Sequence, residues 1–252
     1  MMNSHYLNHL GARLHYRLGG QENAPVLVLL HGGFGSMADF AALLPRLQAQ
    51  FRLLAIDTRG HGGSTLGDAP LSYAQAADDV RHILRHEGIE RCHLFGFSDG
   101  GITAYRLAAE DNGLIDSVVT VGADWHRDHL HRVRPMYASL DIHAVREHMP
   151  TQLAAYLADN PEPDVERWIA ALKTMWLDES EQGYPNERMG QIRAPVLAVR
   201  GDADFLYHLA DWAALKNVLP AAHLLNVPLA AHEVIREQPD ILWAALQAFW
   251  AT

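Results

Sequence analysis

The chain has 252 residues, 49% of them apolar, enough for one large domain with a full core or for a domain carrying a sizeable insertion. Its formal charge of -10 excludes a surface organised around clustered Lys and Arg, so nucleic acid and anionic membranes are not expected as partners. The single cysteine, Cys92, excludes an intrachain disulfide and gives no sign of an oxidising compartment.

Residues 1–9 carry neither a basic flank nor an apolar h-region, and no run approaches the roughly 20 apolar residues of a membrane span. A soluble, cytoplasmic protein is the expectation. Residues 5–10 and 13–18, around a turn at Gly11, read as an opening hairpin. Strand-like runs at 26–30, 53–56 and 92–95 then alternate with helical patterns at 38–48 and 73–87. Such alternation predicts a parallel sheet. The next strands, 117–124 and 195–202, are separated by about seventy residues, more than a crossover in a compact sheet requires. The intervening residues 125–190 show helical periodicity at 144–149, 152–157 and 165–176, interrupted by Pro150, Pro161 and Pro163. They read as a helical cap inserted after the sixth strand, into a core domain made of residues 1–124 and 191–252. A last strand at 223–227 and an amphipathic helix at 239–250 close the fold.

Gly96-Phe97-Ser98-Asp99-Gly100 lies between the strand at 92–95 and a helical run from Gly101. Small residues two before and two after a serine satisfy the crowding of a sharp strand-to-helix turn, on which the hydroxyl projects clear of the sheet. The following helix aims its positive end at negative charge developing there. A serine hydroxyl needs a base to take its proton and a third group to orient that base. Gly201-Asp202-Ala203-Asp204 supplies two carboxylates at a strand end, and Pro228-Leu229-Ala230-Ala231-His232-Glu233 supplies a loop histidine ahead of the last helix. Asp204 lies farther along its loop than Asp202 and has more freedom to reach His232. Backbone donors for a tetrahedral oxyanion are expected from the Asp99 amide and from His31-Gly32-Gly33-Phe34-Gly35, with Gly33 preferred and Phe34 adjacent.

Together these segments resemble the α/β-hydrolase superfamily over essentially the whole chain. His31-Gly32-Gly33 is similar to its oxyanion loop, Asp57-Thr58-Arg59-Gly60-His61-Gly62-Gly63-Ser64 to its D-x-R-G-H-G-x-S loop, and Gly96 to Gly100 to its elbow. Gly201 to Asp204 is similar to its acid loop, where the third residue after the glycine is catalytic. Ala231-His232 with Glu237-Gln238-Pro239 is similar to its histidine segment. The resemblance implies a mostly parallel eight-stranded sheet with helices on both faces and a helical cap insertion. It also implies a serine esterase with the catalytic residues Ser98, Asp204 and His232, acting on a small-molecule ester and water without a cofactor or metal. Asp57, Arg59 and His61 are expected to be structural. Ser98-Asp99-Gly100-Gly101-Ile102-Thr103-Ala104 resembles the valacyclovir-hydrolase, or biphenyl-hydrolase-like, group, which cleaves α-amino-acid esters. That likeness implies a substrate-binding role for the Asp99 side chain, on an ammonium group.

The cap matches no motif, and residues 124–190 hold twelve Asp and Glu against seven Arg and Lys. Trp125, Tyr137, Trp168, Trp176 and Phe205 are candidates to line a pocket, although their helical spacing fits core positions equally well. His126, Asp128, His129 and His131 raise the rival reading of a metallohydrolase, but their spacing matches no metal-ligand pattern. A ligand-binding protein without activity is a further rival, against which stands a complete set of triad residues. Carbon-carbon bond hydrolysis, aminopeptidase activity and cofactor-free haloperoxidase-like chemistry use the same triad.

Overall fold

The computed structural model describes residues 2–110 and 113–251. Strands β1 (Asn3–His9) and β2 (Ala12–Gly20) pair antiparallel. Their turn residues Leu10 and Gly11 both have positive φ, 46° and 75°, the handedness that matches the twist of a two-residue hairpin. The remaining strands are β3 (Val26–Leu30), β4 (Arg52–Asp57), β5 (Cys92–Phe97), β6 (Ile115–Val121), β7 (Val196–Gly201) and β8 (His223–Val227). All eight form one sheet in the order β1-β2-β4-β3-β5-β6-β7-β8, antiparallel across β1, β2 and β4 and parallel from β4 to β8.

Alternate residues of the inner strands enter two separate cores. Val28, Leu30, Leu54, Ile56 and Val118 pack on one face, whereas Leu27, Leu29, Leu53, Ala55 and Val119 pack on the other. A strand covered on both faces is apolar at nearly every position, which is why these segments stand out as continuous runs. Among the described residues the α-helices are α1 (Leu44–Gln48), α2 (Tyr73–His86), α3 (Asp99–Ala109), α4 (Arg134–Ser139), α5 (Ile142–His148), α6 (Pro150–Asp159), α7 (Val165–Trp176), α8 (Leu209–Val218), α9 (Val234–Glu237) and α10 (Pro239–Trp250). Residues of α2, α3 and α8 share the first core, and those of α1 and α10 the second.

The helix expected at 38–48 is two pieces, a 3-10 turn at Met37–Phe40 and α1. Ser36 caps the first through the Ala38 amide, and Pro45, which has no amide hydrogen to offer, sits in the first turn of the second. The strand expected at 117–124 stops at Val121, because Gly122 turns the chain with φ of 60°. Helices α4 and α8 were not expected. In α8 the small and apolar residues are spread around the helix, so no stripe marks it.

The segment between β6 and β7 carries α4 to α7, and its Tyr156, Trp168, Leu172 and Trp176 belong to the same buried cluster as α2 and α3. Tyr156 and Trp168 stack with ring centroids 3.9 Å apart. A polar tie also holds this segment. His129 Nδ1 lies 2.5 Å from an Asp124 oxygen just beyond β6, and its Nε2 lies 3.7 Å from Asp211 on α8, which also pairs with Arg132. Burial works against charge on His129, but the Asp124 bond and the two carboxylates outweigh it and raise its pKa, with Arg132 opposing.

Arg59, in the loop after β4, is completely buried. Its Nε and Nη2 donate to the two Asp79 oxygens on α2 at 2.9 and 2.7 Å, and its remaining donors reach the His9 and Leu10 carbonyls of the hairpin at 3.1 and 3.2 Å. One side chain thus ties three elements together.

Removing the Asp79 carboxylate strands a buried guanidinium, so Asp79→Ala is expected to lower the urea unfolding free energy by about 3–5 kcal/mol. An unchanged midpoint and slope would count against that role. For His129, the raised folded pKa means its stabilisation is fully present below the ordinary histidine value of about 6.5 and is lost as pH rises through the folded value. The gap in thermal midpoint between the wild type and His129→Gln is therefore expected to narrow from pH 6 to pH 9; a gap independent of pH refutes the tie.

Candidate active site

Ser98 stands between β5 and α3 with φ 50° and ψ -118°. That backbone conformation costs a non-glycine residue about 1–3 kcal/mol and persists only where the surroundings dictate it. Its amide donates to the Val121 carbonyl at 2.8 Å, and its own carbonyl accepts from Gly101 and Ile102 at 2.8 and 3.0 Å. A methyl group on residue 96 would lie 2.3 Å from the Gly100 oxygen, and one on residue 100 would lie 2.0 Å from the Leu30 oxygen. The two glycines are therefore steric requirements of the turn. Ser98 projects at the carboxyl edge of the sheet beside β3, where connections leave toward opposite sides and α/β folds open a crevice.

His232 Nε2 lies 3.0 Å from Ser98 Oγ, and its Nδ1 lies 3.1 and 3.0 Å from the two Asp204 oxygens. An ionised carboxylate only accepts, so Nδ1 carries the proton and Nε2 faces the serine as an acceptor. Asp204 is buried, and one of its oxygens also accepts from the Leu206 and Tyr207 amides at 2.9 and 3.1 Å. Asp202 is exposed and accepts from Asn226 Nδ2 at 2.8 Å. Of the two carboxylates on this loop, Asp204 is the one bonded to the imidazole.

Of the residues that fix these partners, Arg200 has no motif to announce it, and Glu237 is legible only as part of the histidine segment Glu237-Gln238-Pro239. Arg200, buried at the end of β7, donates to the Tyr207 carbonyl at 2.6 Å and to the Asp202 and Asp204 carbonyls at 3.2 Å each, stitching the acid loop together. Glu237 accepts from the Ala231 amide at 2.7 Å and the Glu233 amide at 3.0 Å, gripping the chain on both sides of His232. Glu233 instead bonds Arg236, at 3.1 Å.

The His31 to Gly35 loop packs against the elbow. His31 Nε2 accepts from the Thr58 amide at 2.9 Å, which leaves Nδ1 to donate to the Gly32 carbonyl at 2.7 Å. Asp39 accepts from the Gly32 amide at 3.2 Å and from Arg236 Nη2 at 2.7 Å, joining this loop to the histidine segment. Phe34 adopts φ 58°. Among the described residues, the amides of Gly33, Phe34 and Asp99 donate to no protein acceptor. Oriented, unspent donors of this kind suit a developing oxyanion.

The Asp99 carboxylate accepts from Tyr73 Oη on α2 and from Trp176 Nε1 on α7, both at 2.8 Å. Burial pushes its pKa up, and these two bonds pull it back. A methyl group on residue 33 would lie 2.6 Å from Asp99 Oδ2 and 2.7 Å from Trp176 Cζ2. Trp176 therefore touches both segments that carry the candidate oxyanion donors. Tyr73 has no motif to announce it in the sequence, and Trp176 is legible there only as a candidate to line a pocket.

A cavity of about 400 Å³ opens over Ser98, lined by Phe34, Phe97, Leu140, Met149, Trp176 and Leu206 among others. Tyr137 and Phe205 also line it; Trp125 and Trp168 do not. Its charged lining residues are Asp99, Glu233 and Glu237, with no Lys or Arg. Asp57, Arg59 and His61 lie behind the site. Asp57 accepts from His15, Met37 and Gly63, at 2.7, 2.9 and 2.9 Å. Burial, with His31 alongside, pushes the His61 pKa down to about 3, so its imidazole is neutral. Among the described residues, no group of three or more His, Cys, Asp or Glu is arranged to hold a metal ion, and no helix is long and apolar enough to cross a membrane.

Comparison with known proteins agrees with this architecture. The alpha/beta hydrolase fold family matches residues 25–174, and the chain belongs to that family. RutD of Agrobacterium fabrum, named as a carbamate hydrolase, is 27% identical over 94% of this chain and 97% of its own. The sn-1-specific diacylglycerol lipase ABHD11 of Mus musculus is 24% identical over 93% of this chain and 83% of its own. The crystal structure of E-2-(acetamidomethylene)succinate hydrolase superimposes with a TM-score of 0.80 at 21% identity, each chain covered completely, a likeness of fold. The protein is a hydrolase of this family.

Proposed function

We propose that the protein is a serine hydrolase that cleaves carboxylic esters of small molecules through an acyl-enzyme. The observation that carries this reading is the continuous hydrogen-bonded chain Asp204, His232, Ser98 at the floor of an apolar cavity. Ser98 Oγ attacks the ester carbonyl carbon while its proton passes to His232 Nε2. The Gly33 and Asp99 amides hold the oxyanion, with Phe34 as the neighbouring donor, and Asp204 stabilises the imidazolium. Collapse breaks the bond to the alkoxide, which leaves with the proton from His232. Water, deprotonated by the same nitrogen, then attacks the acyl-enzyme and releases the acid. The lipase name of ABHD11 supports ester chemistry.

A second reading, aminoacyl esters as substrates, is favoured by the charge of the cavity. Three carboxylates line it without Lys or Arg, and the Asp99 carboxylate has neutral donors, not a fixed cation, as its bonded partners. An ammonium group near Asp99 gains what an anionic group there loses. The likeness of residues 98–104 to the valacyclovir-hydrolase group points the same way.

Turnover of p-nitrophenyl acetate tests the triad. Ser98→Ala is expected to lower kcat by at least about 10⁴-fold and Asp204→Asn by about 10⁴-fold. Asp202→Asn is expected to stay near wild type, and equal losses at 202 and 204 would contradict the assignment. Aminoacyl and plain acyl esters of matched size, compared in wild type and Asp99→Asn, test the second reading. The variant is expected to lose preference for the aminoacyl member, and an unchanged preference removes Asp99 from ammonium binding.

A further inference from the structure

With the cavity taken as the substrate site of the proposed esterase, its polar side chains divide into those already engaged and those not. Ser98 and His232 bond each other, and Asp99 is held by Tyr73 and Trp176. Both Glu237 oxygens accept backbone amides, and Glu233 bonds Arg236. Two groups remain, Tyr137 Oη on α4 and the Gln152 amide on α6. Both line the cavity, and neither side chain makes a hydrogen bond among the described residues.

Both groups are uncharged. Burial, with the Asp99, Asp124 and Asp204 carboxylates nearby, pushes the Tyr137 pKa far up, so its hydroxyl keeps its proton and remains a donor. Its ring packs on Trp176 with centroids 4.9 Å apart, which fixes where that donor sits. Gln152 offers a donor and an acceptor on one planar group. Both residues are only partly buried, so in the free protein water can reach these atoms. A substrate that displaces that water without replacing its hydrogen bonds leaves them unsatisfied and binds more weakly for it.

We infer that Tyr137 and Gln152 are specificity-determining residues, and that the substrate ester carries a second, uncharged hydrogen-bonding group such as an amide, carbamate, ether or hydroxyl. A carboxylate in that place meets Asp99, Glu233 and Glu237, of which only Glu233 has a cation, Arg236, as its bonded partner, and no Lys or Arg lines the cavity. The inference rests on the cavity as the substrate site and is independent of what Asp99 contacts.

Methyl esters of N-acetyl glycine, 3-aminopropanoate and 4-aminobutanoate, each paired with an alkanoate ester of matched length, are the probes. Calorimetry on Ser98→Ala reads their dissociation constants without turnover, so the outcome does not depend on Ser98 being the nucleophile. At least one amide ester is expected to bind about tenfold more tightly than its hydrocarbon partner, the worth of one good hydrogen bond. Adding Tyr137→Phe or Gln152→Met, which sit on different helices, is expected to erase most of that preference while leaving the alkanoate constants in place. No preference in any pair, or equal weakening of both members by the second substitution, overturns the inference. Loss of the triad reading would appear separately, as wild-type ester turnover that survives Ser98→Ala.

Discussion

The backbone at Ser98 is the constraint on which the site depends. A residue held in the left-handed region between a strand and a helix survives only where its neighbours leave no alternative. Here the alternatives are removed by contact: α3 runs so close to β3 and β5 that residues 96 and 100 have no room for a side-chain carbon. The same closeness lifts the serine hydroxyl above the sheet edge. It also points the amino end of an eleven-residue helix toward that hydroxyl. Loops after β3, β7 and β8 then have only to reach one fixed point.

What reaches that point is held by polar bonds as well as by apolar packing. Arg200 fastens the acid loop through three carbonyls, Glu237 grips the amides on either side of the histidine, and Asp39 bridges the His31 to Gly35 loop to Arg236. Arg200 and Asp39 are buried, which is tolerable because each has its partner; leaving one unmatched costs more than the bond gains. Asp99 shows the same economy. Its carboxylate sits beside Ser98, desolvated and raised in pKa, and two neutral donors absorb its charge.

One of those donors comes from the segment between β6 and β7, which gives the segment more than the role of a cover. Trp176 bonds Asp99, meets Phe34 edge to face at 5.4 Å and packs against Tyr137. Displacement of α7 therefore disturbs the cavity over Ser98 and the unspent amide donors together.

The sequence by itself determined whatever leaves a local mark. Strands buried on both faces read as apolar runs, so the order of sheet elements and the length of the β6–β7 segment were legible. The glycines at 96 and 100 marked the elbow because a backbone clash is a demand on individual positions. The chain order Ser98, Asp204, His232 identified three residues whose side chains do meet. The family pattern pointed to Asp204 over Asp202, and the tertiary structure supplied the reason: the two differ by two positions, and Arg200 folds the loop so that Asp204 is the one bonded to His232. It alone disclosed the bonds that Tyr73, Trp176 and Glu237 make, and the α8 helix, whose apolar residues follow no stripe. Trp176 and Asp99 are 77 positions apart. A hydrogen bond across that distance imposes no periodicity and no spacing on the chain, and it exists only once the core has packed.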